Sequence, residues 1–267
     1  MTNPALLWNP PKPPPRQPKP GEKIWSMRKA GKPVDCELRG LLAADTRITH
    51  YPSGIRIFRD DEAKIRRTSM GLITGAGLAE LIDPVKDRLQ AEQITVVDRI
   101  IEVVADEVSR VQREPWAAEP RVQESLGTTG WMLTFLGPAV SDASIAVLHL
   151  AVLGTSDKQV GSIPLNRVYL LPPTGTTTEQ FKEWFGFARD NLYPAPDSHD
   201  VESINKNIAH HCGVVKELMR TVSQANEGVA PTFQIGVHIP PHLTRITGII
   251  GPESDVRLDW QNRDKAL

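Results

Sequence analysis

The stretch LLAADTRITH (residues 41–50), continuing through YPSGIRIFRDDEAKIRRTSMGLITGAG (51–77), decides the fold. It is a succession of short extended segments, at 41–44 continuing to Ile48, at 55–58 and at 64–74, punctuated by the turn formers Pro52, Ser53 and Gly54. Upstream, 23–29 and 34–38 extend the same pattern around a turn at Gly31, Lys32 and Pro33. Downstream the periodicity becomes helical. Residues 78–90, bent near Pro84, form one helix, and residues 94–111 form a second with Val97, Ile100, Val104, Val108 and Val111 on one stripe.

A loop bounded by prolines at 115–120 leads to a second β block at 131–136, 144–153 and 166–171. A threonine at 176–178 caps a helix reaching Asp190, with Glu179 near its positive end. After a loop at 193–199, residues 200–224 repeat apolar positions at helical spacing, and 233–239 and 243–250 close the chain as a strand pair. Runs of strands separated by paired helices do not suit a doubly wound parallel sheet, in which strands and helices alternate singly. The expectation is an α+β fold, a four-layer αββα sandwich of two mostly antiparallel sheets covered by helix pairs. Its apolar strands at 41–44 and 145–153 would be buried on both faces.

With 267 residues, of which 40% are apolar and 24% charged, the chain can bury a single large core without staples. That core is assigned to 22–252, leaving a C-terminal tail at 253–267. The prolines between Pro10 and Pro20 favour polyproline II over packing, so 1–21 is read as a disordered proline-rich arm. Against 31 Lys and Arg stand 32 Asp and Glu, a net charge of −1 that gives no global attraction to nucleic acid or an anionic membrane. There is neither an apolar run of spanning length nor a basic-then-apolar start. Cys36 and Cys212 are far apart and form no CxxC, so a reducing, cytoplasmic setting is expected, with no disulfide framework and no structural zinc.

Cofactor chemistry finds little support in the sequence. In LITGAG the third fingerprint glycine of a dinucleotide site falls on Glu80, there is no GxxxxGK[ST], and PTGTTTEQ at 173–180 lacks the phosphate-binding lysine. His210, His211 and Cys212 are consecutive, so on a helix they diverge and share no metal face. No GxSxG elbow occurs. No cofactor and no metal are expected.

The segments LLAADTRIT, DDEAKI (60–65) and GLITGAG (71–77), with the element order, resemble the first part of proteasome β-subunits and their bacterial relatives, the N-terminal-nucleophile hydrolases. VAPTFQIGVHI at 229–239 is similar to that family's last helix and strand. The resemblance implies an amide or peptide hydrolase, or a catalytically lapsed relative, that assembles as a homo-oligomer and acts on a peptide or protein. It places an aspartate at Asp45 and a lysine at Lys64 beside the active site, and a small-residue turn at Gly75, Ala76 and Gly77 whose backbone N–H groups receive the oxyanion. In such chemistry a terminal Thr, Ser or Cys attacks the carbonyl, a nearby lysine lowers the proton affinity of the base, and the aspartate keeps that lysine ionised.

The nucleophile departs from the pattern. About sixteen residues before the aspartate, where the family carries it, stands Lys29. Ser26 serves if the first hairpin is longer, with the arm removed as a propeptide. Cys36 lies only nine residues before Asp45, too near for a strand, a turn and a returning strand. The alternative is a non-enzymatic oligomeric scaffold or binding protein with the arm as its tether.

Overall fold

The computed structural model describes residues 40–50, 57–92, 94, 97–138, 146–157, 159–163, 168–192, 201–239 and 243–254. The arm, the segments expected as strands at 23–29 and 34–38, Ser26 and Cys36 lie outside them. The chain is α+β; the described residues form antiparallel sheets of five, three and two strands and five α-helices.

Strand β1 (Gly40–Asp45) pairs antiparallel with β9 (Phe233–Ile239), Gly40 opposite His238 and Asp45 opposite Phe233. On its other edge β9 pairs with β10 (Leu243–Ile246). Two short strands, β2 (Ile48–His50) and β3 (Ile57–Arg59), form a separate ladder. The five-stranded sheet runs in the order β4 (Arg66–Arg67), β5 (Gly71–Ala76), β6 (Gly130–Pro138), β7 (Ala146–Gly154), β8 (Gly161–Ile163).

Side-chain alternation gives β1 two apolar faces. From β9, Phe233, Ile235 and Val237 pack with Leu41 and Ala43 of β1 against Ile208, Cys212 and Val215 of helix α5 (Val201–Ala225). The opposite face carries Leu42 and Ala44, which pack with Ile65 and Leu72, and with Met132 and Leu150 of the larger sheet. Gly236 belongs to this face because a Cβ there would lie 2.9 Å from Leu72 Cδ1 and 3.0 Å from Ile65 Cγ2. His238, only 2% exposed, reaches Thr134 Oγ1 of β6 at 3.0 Å, so a buried polar pair joins the two sheets. On the far side of β5 and β6, Ile73, Trp131 and Leu133 pack with helices α1 (Ala79–Ala91) and α2 (Val97–Gln112).

Pro84 does not break α1, which continues to Ala91. Proline lacks the N–H that would bond the carbonyl four residues back. Here that carbonyl, on Glu80, accepts Arg110 Nη2 at 3.0 Å from α2.

Several expectations are corrected. The segment 64–74 is two strands around a turn closed by Thr68 N–H donating to Gly71 O at 2.9 Å. The loop at 115–120 is a 3-10 turn (Pro115–Ala118) followed by helix α3 (Pro120–Thr128), each with proline in its first turn, where the missing N–H is no loss. The third strand of the second block is β8 at 161–163; residues 168–171 form no strand. Strand β10 stops at Ile246, although Ile250 returns to exchange backbone hydrogen bonds with Phe233. His149 of β7 is half-buried and stacks on Phe135 at 5.0 Å. Helix α4 (Thr178–Asn191) starts as expected, with Thr177 and Gln180 in a reciprocal capping box. Among the described residues no helix is long and apolar enough to cross a membrane.

Candidate functional site

Asp45 ends β1, where pairing with β9 brings the loop before Phe233 alongside. Its Oδ1 accepts the backbone N–H of Arg47 at 2.8 Å and that of Ala230 at 3.4 Å. The carboxylate is thereby fixed by two main-chain donors, one local and one distant in sequence. Its Oδ2 receives Lys64 Nζ at 3.1 Å, across a separation of 19 residues. The two side chains are 20% and 15% exposed, partly withdrawn from water yet open on one side. Among the described residues Lys64 Nζ donates to Asp45 alone, so two of the three donors of an ammonium remain for another acceptor.

Residues 60–65 carry Lys64 outside any strand, and the end of β1 holds them in place. Thr46, fully buried, donates Oγ1 to Asp60 O at 2.7 Å, also meets the hydroxyl of Thr232, and accepts Glu62 N–H on its carbonyl at 3.3 Å. Arg47 and Asp60 are part of this brace. Arg47 Nε donates to Asp60 Oδ1 at 2.6 Å, Nη2 to Asp60 Oδ2, and Nη1 to Glu227 O, while the guanidinium lies 4.8 Å from the Phe58 ring centre.

The hydrogen bond from Arg47 holds the Asp60 carboxyl below its ordinary range. A depressed carboxylate contributes stability above its unfolded value, near pH 4, and that contribution is lost as the pH falls through the folded value. Asp60 is 40% exposed, so the contribution is on the order of a few tenths of a kcal/mol. Asp60→Asn should therefore lower the urea midpoint slightly at pH 7, with the difference from the parent chain vanishing once the pH has fallen through the folded value of Asp60, as fluorescence-monitored titration would read.

Gly75 and Ala76 lie within β5, opposite Trp131 and Gly130, so only Gly77 belongs to the turn proper. Gly77 sits at φ 124 against Thr129, whose Oγ1 accepts the Leu78 N–H at 2.8 Å and so satisfies a donor at the start of α1. Alternation along an antiparallel strand sends the Gly75 N–H to the side of Ile73, towards β4. But β4 pairs only with Leu72 and Ile73. Beyond Ile73 that edge of β5 has no strand beside it among the described residues, which leaves the N–H of Gly75, a buried residue, without a ladder partner near the segment carrying Lys64.

Of the proposed nucleophiles, Ser26 and Cys36 fall outside the described residues. The other cysteine, Cys212, is buried under β9, and burial pushes its thiol up to about 11, which leaves it un-ionised and unsuited to attack at neutral pH. Sequence reading missed Thr46, Thr232 and the backbone of Ala230, which nothing local marks. It also missed Lys86 on α1, although there a signal existed: Lys86 sits four residues after Ile82 and one after Val85, on the buried stripe. No protein-family model matches this chain, and no curated protein matches it.

Proposed function

We propose that this chain is an N-terminal-nucleophile hydrolase of proteasome β-subunit layout, cleaving amide bonds of a peptide or protein after removing its own first 25 residues. The observation that carries the reading is the ion pair of Lys64 Nζ with Asp45 Oδ2 at 3.1 Å, at the end of a strand and close to a stretch of β5 edge that no described strand pairs. A four-layer αββα sandwich is part of the proposal. It is supported by α5 on one face of the β1–β9–β10 sheet, the five-stranded sheet against its other face, and α1 and α2 beyond.

In the self-processing step Ser26 Oγ attacks the carbonyl carbon of Trp25, and the Trp25–Ser26 C–N bond breaks as an ester to Oγ forms. The hydroxyl proton passes through water to the departing nitrogen, which becomes the free α-amine. Water then hydrolyses the ester. In each later turnover the α-amine takes the Ser26 Oγ proton and returns it to the leaving amine, with the Lys64 ammonium lowering its proton affinity and a β5 backbone N–H facing the oxyanion. The same layout implies association of several copies of the chain.

A second reading, a scaffold of this fold without chemistry, is favoured by one observation: Lys29 occupies the place where the resemblance calls for a nucleophile. A β-lactone, a strained acyl donor, separates the two. Incubation of the full chain followed by peptide mapping should find the acyl group on Ser26 at the head of a shortened chain; a chain that keeps residues 1–25 and takes up no label is the scaffold.

A further inference from the structure

The peptide unit that carries Lys64 is held by side chains, not by the sheet. Continuing the β4–β5 register past Arg66 opposite Ile73 would set Lys64 opposite Gly75. Because the hairpin closes on a hydrogen bond between Thr68 and Gly71, the pairs that exchange hydrogen bonds recur every second residue, at 66 with 73 and next at 64 with 75. The ladder stops before that pair. The carbonyl of Lys64 instead accepts Lys86 Nζ at 3.3 Å, and the N–H of Ile65 donates to Gln234 Oε1 at 3.2 Å. Both polar groups of one peptide are thus taken from opposite sides, by α1 and by β9.

Both grips are themselves anchored. Lys86, only 1% exposed, is paired with Asp83 Oδ1 at 2.6 Å, and Gln234 donates Nε2 to Thr247 O at 3.2 Å. Burial drives the Lys86 ammonium below its ordinary range, against the opposing pull of Asp83. A lysine kept in such a place is costly to bury unless its donors are used, and one of them is used on Lys64 O. Ile65, 3% exposed, packs into the layer between the sheets and completes the hold.

We propose that Lys86 and Gln234 are positioning residues that draw the 64–65 peptide off the edge of β5, seating Lys64 against Asp45 and leaving the buried Gly75 N–H unpaired as a donor for a carbonyl oxygen. The proposal deepens the hydrolase reading and rests on it for its purpose, but its test needs no activity. Backbone hydrogen exchange in the full chain, resolved residue by residue, reads it. In the unmodified protein Gly75 should exchange about tenfold or more faster than Ile73, which points the same way but is paired.

In Lys86→Met the released Lys64 carbonyl rejoins the ladder, and exchange at Gly75 slows about tenfold, the worth of one hydrogen bond. A side chain that merely supported the fold would, when removed, speed that exchange. Gln234→Leu should act in the same direction and serves if Lys86→Met does not fold. Protection of Gly75 equal to that of Ile73 in the unmodified chain overturns the proposal; so does exchange at Gly75 that is unchanged or faster in every variant that folds. If the exchange pattern holds in a chain that never shortens itself, the clamp stands and the hydrolase reading falls.

Discussion

Lys64→Met is expected to leave the protein folded while slowing amide hydrolysis, including its own shortening, by about a thousandfold. Methionine keeps the apolar stem of the lysine and deletes only the ammonium. Asp45 is not orphaned by the change, because Oδ1 still accepts the N–H groups of Arg47 and Ala230. A partly exposed ion pair of this kind contributes at most about 1 kcal/mol to stability, so the melting temperature should shift by only a few degrees. The separation of the two effects is the informative part. A variant that shortens and hydrolyses at the parent rate would remove Lys64 from the chemistry, and one that unfolds would show the pair to be structural.

Gly77→Val should cost about 3 to 5 kcal/mol, a large part of the stability of a typical domain. Two effects coincide at this position. At φ 124 a β-branched side chain is strained whatever the space around it, and its Cβ would stand 2.3 Å from Thr129 Oγ1 and 2.6 Å from Thr129 Cα. Thr129 cannot retreat freely because its hydroxyl holds the Leu78 N–H at 2.8 Å and donates to Ser125 O at 2.7 Å. Gly127→Ala supplies the contrast. That glycine lies in α3 with nothing within 4 Å of an added Cβ, so the substitution should gain about 0.5 to 1 kcal/mol from helix propensity. Urea titration of the two variants beside the parent reads both signs, and equal midpoints would refute the turn's role in fixing the entry to α1.

The residues legible in the sequence were those whose signal is local. Strand β5 and helix α1 follow from GLITGAG and the apolar spacing after it, and the threonines at 176–178 announce the start of α4, of which Thr177 is the one that caps it. The approach of Lys64 to Asp45 rested on resemblance, since pairing of β1 with β9 and a brace from Thr46 to Asp60 and Thr232 set it, and both join positions far apart in the sequence. Prolines misled at 115 and 120 because the same residue ends a loop and opens a helix, and only the following turn distinguishes the two. The split of 64–74 into β4 and β5 was hidden because Thr68, Ser69 and Met70 carry no glycine or proline to mark the turn. Burial of Lys86 could be read from the stripe, but the part that it and Gln234 play was invisible for another reason. Their part depends on a carbonyl and an N–H left over where a ladder ends, and sequence does not show where pairing stops.

The central claim is that the Asp45–Lys64 pair serves an N-terminal nucleophile within the same chain. The intact mass of the purified full-length protein tests it without any choice of substrate. The expected result is a mass lower by residues 1–25, with Ser26 first, and the unshortened mass in Lys64→Met. A parent chain that retains its full mass after prolonged incubation contradicts it.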